Sequence, residues 1–587
     1  MSQEKTDRRT YLKIAGGTVL GLAVGAAAGY MAKPEVAPVG PGVVSTVTQT
    51  VTATAAPPPT KKETFVQVEQ HDPGEADPAK WVNFVSCWSF THVYDALSAW
   101  GPGTEGNSGT PSLMPMLARR FQISQDKKTY VFYLREGVRF HDGSLMTADD
   151  VVYTLKRMLT INFYPVSLYL DVLPQDNIEK LDKYTVRATL TKSFPLFIQA
   201  TPFMFILNSK VIEANIKKPG PYGDKGDYAT EWLQTHDAGA GPYSITERVI
   251  GDHVTYARFP DYWAGWKSRY FDEAIYKVVN EAATQAQMLR TGEADRIGAW
   301  LPVDLYYRLS QESGPWKVDV DIPLEFYLCI NYNNQAKGLD DVHVRRALSY
   351  CFDYDKCVNQ IFHGWVERLE GPVPKGVKYF NPDVQFAYNF DLAKAKDELA
   401  KSAYKPEELE FDYIALAAEE HRKLMGQLLA DGASQIGIKI NIKELPYSVT
   451  QQMYESVETA GPSMVAMIPM STYPDPDNYL YYGYHSRFWK GKKGTYATQV
   501  FVDNPKVNDL LDKARYEADD AKRGEMYYEI QSILVDQATT LWAIKGEPHF
   551  NAMRSDVAGY EWWPFGTPPS YMPHRWHKYF RLRAEEM

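Results

Sequence analysis

The sequence predicts an α/β protein with more than one lobe, on three observations. Short strand-like runs alternate with helical ones, as in DVHVRRALSYCFDYDKCV, then FDYIALA, then a helix that ends at GIKINIKEL. At 587 residues the chain exceeds what a single hydrophobic core supports. The apolar fraction of 44% is that of a globular protein.

The elements follow in chain order. Arg8-Arg9-Thr10-Tyr11-Leu12-Lys13 resembles the twin-arginine export motif, and Ile14 to Ala32 is an uncharged stretch rich in Gly, Ala, Val and Leu. Residues 1–33 are therefore expected to be an export signal or a membrane anchor. The stretch is long enough to span a hydrocarbon core as a helix, yet its glycines and alanines make it only weakly hydrophobic. Cleavage near Ala26-Ala27-Ala28 or Tyr30-Met31-Ala32 and retention as a tether both fit. No cysteine follows, so a lipid-attachment signal is missing. Residues 34–63 form a run of Pro, Val, Thr and Ala, with prolines at 34, 38, 41 and 57 to 59 that favour extended, semi-rigid chain, as in a stalk. The Val/Thr alternation from Val43 to Thr54 also fits a strand.

Phe121 to Leu159 is the most informative segment. After the polar turn Ser124-Gln125-Asp126, Thr129 to Leu134 alternates apolar and polar, the period of a half-buried strand. Asp142-Gly143 gives a tight reversal. Thr147-Ala148-Asp149-Asp150 then supplies a capping hydroxyl and carboxylates for the positive end of a helix running from about Ala148 to about Leu159. This order, LREGVRFHDGSLMTADDVVYTLKR, resembles the signature of the family 5 extracellular solute-binding proteins of ABC importers. Further segments resemble the family in its order: GAGPY ending at Tyr243, TGEAD at Thr291 to Asp295, and DDVHVRRALSYCFDYDKCV from Asp340. After them come YNFDLAKAKDELAKSAY from Tyr388, QIGIKINIKEL from Gln435, YPDPDNYL from Tyr473, and the run from Asp503 to Asp536.

The resemblance implies a two-lobed periplasmic-binding-protein-like fold (type II, cluster C) with an inserted subdomain in the first lobe. Lobe one would hold about 64–325 and 545–587, with the insert at about 97–204, and lobe two 326–544. The crossovers are expected near Leu324 to Asn331 and Thr540 to Glu547. It implies capture of an oligosaccharide or oligopeptide by hinge closure, and delivery to ABC permease subunits from the outer face of the cell membrane. It implies no cofactor, and a monomer. Peptide-binding relatives carry an aspartate three residues before the first Asp of the DPDN tetrad; Thr472 stands there, which disfavours free-amine peptides unless Asp475 or Asp477 substitutes. With the 13% aromatic content, this tilts the reading toward neutral oligosaccharides, whose faces stack on Trp and Tyr. The segments that the family places at the cleft contain Trp88, Tyr94, Trp300, Thr472, Tyr473 and Asp475. Arg345 and Arg346 read as helix-surface or lobe-fixing residues.

Other classes find little support. A net charge of −10 argues against a nucleic-acid partner, which needs a basic stripe. Cys87, Cys329, Cys351 and Cys357 form no C-x-x-C pair, and buried free thiols are expected. No H-E-x-x-H occurs, and His574 with His577 has only chance spacing for a metal. Gly101 to Gly106 satisfies G-x-G-x-x-G, but loop sequence rather than a helix follows it. His141-Asp142 lacks a nucleophile turn, so His141 reads as a hydrogen-bonded structural side chain. A secreted hydrolase would need a marked pair of carboxylates, which no motif singles out. A binding protein of the same fold with a sensor or chaperone role is the nearer alternative.

Overall fold

The computed structural model describes residues 63–558 and the short strand Arg581–Leu582, with 81–83, 102–111, 164–168, 267–269, 299, 322–326, 418, 468–472, 491–498 and 546–548 outside the described residues. The signal or anchor, the stalk, the G-x-G-x-x-G loop beyond Gly101, His574 and His577 also lie outside them.

A mixed sheet opens the described chain. β1 (Thr64–Glu69) runs parallel to β10 (Glu273–Val278), which continues antiparallel through β9 (His253–Arg258) to β8 (Tyr243–Val249). The helix α1 (Phe84–Val93) follows β1, and Phe90 and Tyr94 join Phe203, Phe205 and Tyr243 in the core against this sheet.

At Ala96 the chain leaves this layer, and at Phe205 it returns; the two residues bridge each other. Between them lie the hairpin β2 (Ser98–Gly101) with β3 (Ser112–Pro115) and an antiparallel body. Its strands are β4 (Ala118–Ile123), β5 (Thr129–Leu134), β6 (Ile178–Asp182) and β7 (Thr185–Thr189), in the order β4-β5-β7-β6. β5 spans the expected strand, and Tyr130, Phe132 and Leu134 point inward, as a period of two requires. α2 (Ala148–Ile161) begins where the sequence places it. Thr147 Oγ1 accepts the Asp149 N–H at 3.3 Å, and Asp150 Oδ2 accepts the Thr147 N–H at 2.9 Å, closing a capping box. The helix runs two residues past the expected end because Asn162, at φ 51°, supplies the left-handed stop that asparagine tolerates.

The second large layer is a six-stranded sheet of order β13-β17-β12-β16-β14-β15. Its members are β12 (Tyr327–Tyr332), β13 (Glu367–Arg368), β14 (Glu410–Leu416), β15 (Lys439–Leu445), β16 (Ser463–Met467) and β17 (Thr540–Lys545). The central strands β12, β16 and β17 are buried at every position and read as near-continuous apolar runs. The edge strand β15 is KINIKEL, whose charges discourage further pairing. β11 (Trp316–Asp321) pairs with β18 (His549–Arg554), and β12 pairs with β17. The chain therefore passes between the two ribbons twice, from Asp321 to Tyr327 and from Lys545 to His549. Of the ranges expected for the crossovers, Tyr327–Asn331 and Thr540–Lys545 are strands of the six-stranded sheet. Cys329, Cys351 and Cys357 are buried free thiols, and the Cys87 side chain lies outside the described residues.

Charged groups are buried where the antiparallel body meets the first sheet. Arg157 of α2 donates from Nη1 to Asp77 Oδ1 at 2.8 Å and from Nη2 to Oδ2, with both side chains fully buried. His141 Nδ1 meets Asp237 Oδ1 at 2.5 Å and Nε2 meets the Gly241 carbonyl at 3.0 Å, so it ties two segments together. Asp95 is also buried, and burial pushes its carboxyl up to about 7 against hydrogen bonds from Trp263 and Tyr262 and the charges of His141 and Arg135. For His141, burial opposes the charge, but Asp237 outweighs it and the pKa rises.

Both raised groups act on stability with one sign. The folded chain holds a proton on Asp95 that the unfolded chain releases above about 4, so stability falls as pH rises toward 7. The His141 contribution is complete below its ordinary value of 6.5 and is lost as pH rises through the folded value. Asp237, with a lowered pKa, acts only at more acid pH. Asp95→Asn is therefore expected to flatten the decline in Tm between pH 5 and pH 8, leaving the His141 part. Parallel Tm profiles for variant and wild type would refute this.

Candidate functional site

The segment Tyr473 to Asn478, YPDPDN, opens α8 (Pro476–Tyr484). Pro476 suits the first helical turn because its fixed φ is already helical and its missing N–H is not needed there. Asp475 is the N-cap, and its Oδ1 accepts the Asp477 N–H at 3.0 Å.

Both carboxylates are buried, and each is met by an arginine from a following helix. Arg523, on α10 (Asp520–Asp536), donates to Asp475 from Nη1 at 2.7 Å and from Nη2 at 2.6 Å, a bidentate pair. Arg515, on α9 (Pro505–Tyr516), donates from Nη1 to Asp477 Oδ2 at 2.8 Å, and the same oxygen accepts the Tyr473 hydroxyl at 2.6 Å. Burial disfavours charge on Arg515, but its attraction to Asp477 and the surrounding tyrosines outweighs that, and its pKa is held well above the ordinary value. Burial keeps the Asp477 carboxyl above its usual range despite Arg515 and Tyr473.

This charged wall faces a cavity of about 300 Å³. Trp100, Tyr130 and Gln199 line it from the hairpin and the antiparallel body; Tyr379, Asp475 and Arg523 line it from the opposite side. Lys127, Lys378, Glu517 and Asp520 add charges of both signs. Lys378 and Tyr379 both reach Asp520 Oδ1, the tyrosine at 2.7 Å. A larger hollow of about 510 Å³, around Asp353, Tyr354 and Arg368, is lined from one side of the molecule only and brings no two sheets together.

The expected site residues fall in different places. Tyr473 and Asp475 meet in this wall, Tyr473 buried through its hydroxyl contact and Asp475 as cap and ion-pair partner. Tyr94 is buried in the first-sheet core, edge-on to Phe90. Trp88 lies on α1, and its side chain is outside the described residues. Trp300 is half-buried in the turn before α4 (Val303–Gln311). Thr472 lies outside the described residues. Arg345 donates to the Leu339 and Gln537 carbonyls, and Arg346 to the Asp536 carbonyl, so both fasten the end of α10. Arg515 and Arg523 were not foreseen. Their signal is a basic residue at a helical spacing from inward apolar ones, Leu511 four before Arg515 and Tyr527 four after Arg523.

Arg523→Met should leave Asp475 buried without its counter-charge and cost on the order of 3–5 kcal/mol in denaturant unfolding. Adding Asp475→Asn should recover part of that loss. Additive losses would show that the pair is not coupled.

Comparison with known proteins places this geometry. The family model described as bacterial extracellular solute-binding proteins, family 5 Middle, matches residues 112–491. The probable D,D-dipeptide-binding periplasmic protein DdpA of Escherichia coli K12 is 28% identical over 512 residues, covering 85% of this chain and 91% of that protein. Heme-binding protein A of Haemophilus influenzae is 25% identical over 513 residues, covering 82% and 87%. Among solved structures, the periplasmic binding protein DppA from Helicobacter pylori, in complex with the peptide STSA, superposes with a TM-score of 0.72 at 21% identity. That match covers 89% of this chain and 99% of DppA, and shows the shared fold.

Proposed function

The chain belongs to the family 5 bacterial extracellular solute-binding proteins, and we propose that the solute it carries is a short peptide. It is the extracellular binding component of an ABC importer, which presents its load to membrane permease subunits. The observation that carries the peptide reading is the cavity wall. Lys127 and Glu517 stand around one space with the ion pairs Arg523–Asp475 and Lys378–Asp520, so a zwitterion finds a charge of each sign there. A neutral oligosaccharide would meet neither Lys127 nor Glu517 with a charge of its own. Relatives named for dipeptides support the same choice. The oligosaccharide reading keeps the aromatic lining, Trp100, Tyr130 and Tyr379, in its favour.

The two passages between the ribbons support the proposed lobe assignment. Residues 64–325 with 545–587 form one jaw, carrying the insert at about 97–204, and residues 326–544 form the other. Cargo that touches both jaws stabilises the closed form by its differential affinity for it, and closure reports occupancy to the permease. The chain acts by binding and release and not by catalysis. Trp88, Trp300 and Thr472 complete the cargo surface beside Tyr473 and Asp475. The apolar segment Ile14 to Ala32 serves as an export signal or as a tether at the outer face of the membrane.

Thermal unfolding with a panel of di- to tetrapeptides and a parallel panel of oligosaccharides tests the cargo class. A peptide present at 100 times its Kd should add about 2.7 kcal/mol to stability and raise Tm. Stabilisation by oligosaccharides alone would overturn the peptide reading.

A further inference from the structure

A second set of contacts crosses the cleft without involving cargo. The insert presents Lys192 and Phe194 on a rigid frame. The Phe194 N–H donates to the Lys127 carbonyl at 3.3 Å, its carbonyl accepts the buried Tyr130 hydroxyl at 2.9 Å, and Pro195 begins the next helical turn. Opposite stands the C-terminal end of α9. The Phe194 ring meets Tyr516 at 5.8 Å between centroids, and the Lys192 ammonium lies 3.5 Å from the centre of the Tyr516 ring. The Arg515 guanidinium is 5.2 Å from the Phe194 ring while it holds Asp477. Tyr473, Tyr482 and Tyr516 all pack against the core of the antiparallel body.

We propose that Lys192 and Phe194 form a latch on the end of α9 that favours the closed form without cargo, and that Arg515 is the positioning residue that couples this latch to the Tyr473–Leu480 segment. The proposal rests on the closure mechanism given above and deepens it. Every partner in the latch is a protein side chain, so its contribution is present before a solute arrives. Arg515 touches both sides of the cleft. Its guanidinium lies against Phe194 on the insert, donates to Asp477, and reaches the Tyr482 hydroxyl at 3.3 Å. Separation of Phe194 from α9 removes one face of that guanidinium's enclosure. The hydrogen bond that also fixes Tyr473 through Asp477 Oδ2 then becomes accessible to water.

The test uses the full chain with no solute added, so failure to bind any peptide would leave its readout intact. Small-angle scattering and amide exchange are measured on wild type, Phe194→Ala, Tyr516→Ala and Lys192→Glu. Expected are a larger radius of gyration for each variant and exchange about tenfold faster in residues 476–484 for Phe194→Ala and Tyr516→Ala. Arg515→Lys, which keeps the charge on Asp477 but loses the flat face toward Phe194, should match Phe194→Ala in exchange at 476–484. Because Phe194 is buried, its loss can unfold the insert; Tyr516 is half-buried and Lys192 exposed, so those variants then decide the matter. An unchanged scattering profile, with faster exchange confined to residues 195–203, would overturn the proposal, since Phe194 would then serve only the packing of its own body.

Discussion

Two carboxylates within one turn, Asp475 and Asp477, are buried under two arginines, and the cleft is built around that arrangement. A lone buried carboxylate would hold a proton or open its surroundings to water. Each pair here removes that outcome and fixes a third element in doing so. Arg523 draws α10 onto the start of α8, and Arg515 draws α9 onto the same turn. Three helices are thereby brought to one point, and Tyr473, hydrogen-bonded to Asp477, is aimed at the opposite body. Such pairs stabilise little relative to a well-packed apolar core, but breaking one is costly, which makes the local geometry hard to change by degrees.

The strand pairing ties the two layers together at neighbouring strands. β12 and β17 lie side by side in the middle of the six-stranded sheet, and the strands that continue them, β11 and β18, pair in a separate ribbon. The two passages between ribbons are therefore held adjacent by ladder bonds at both ends. Tyr306, Phe550 and Trp542 belong to one hydrophobic cluster, while Asp475 and Arg523 line the cavity.

Local structure was legible where the signal was local. The strand Thr129–Leu134 followed from its alternation, and the start of α2 from Thr147 and Asp150, because both depend on residues within a few positions of one another. His141 read correctly as a structural side chain because no nucleophile accompanied it, and the structure gives it Asp237 and a carbonyl. Tyr94 and the arginines show the limit. An aromatic residue in a segment near the cleft has the same sequence appearance whether it faces solute or core, and Tyr94 faces core. Arg515 and Arg523 lie 38 and 48 residues from their partners, and their helical spacing from Leu511 and Tyr527 marks the inward face without naming the carboxylates they meet. Asp475 was weighed both as a cap and as a partner for a peptide amine; its carboxylate accepts the Asp477 N–H and binds Arg523, so its charge is already compensated within the protein.

That compensation bears on how such a site can serve many solutes. If the wall supplied a bare carboxylate, a matching ammonium would dominate recognition and its absence would leave a buried charge unpaired. With the charges of Asp475 and Asp477 already met by Arg523 and Arg515, the buried wall tolerates cargo that brings no charge to it. The more exposed Lys127, Lys378, Glu517 and Asp520 then adjust to the ends of whatever is present. Exposed ion pairs contribute little and rearrange at small cost, so they add breadth more than affinity. On the proposed closure, the part of the closing free energy that does not depend on cargo would come from the aromatic and cationic side chains that meet at Phe194, Lys192, Arg515 and Tyr516. A binding protein that has to release its load benefits from that division: the solute adds only the increment needed to favour closure, and a modest affinity leaves it free to depart once the jaws are drawn apart.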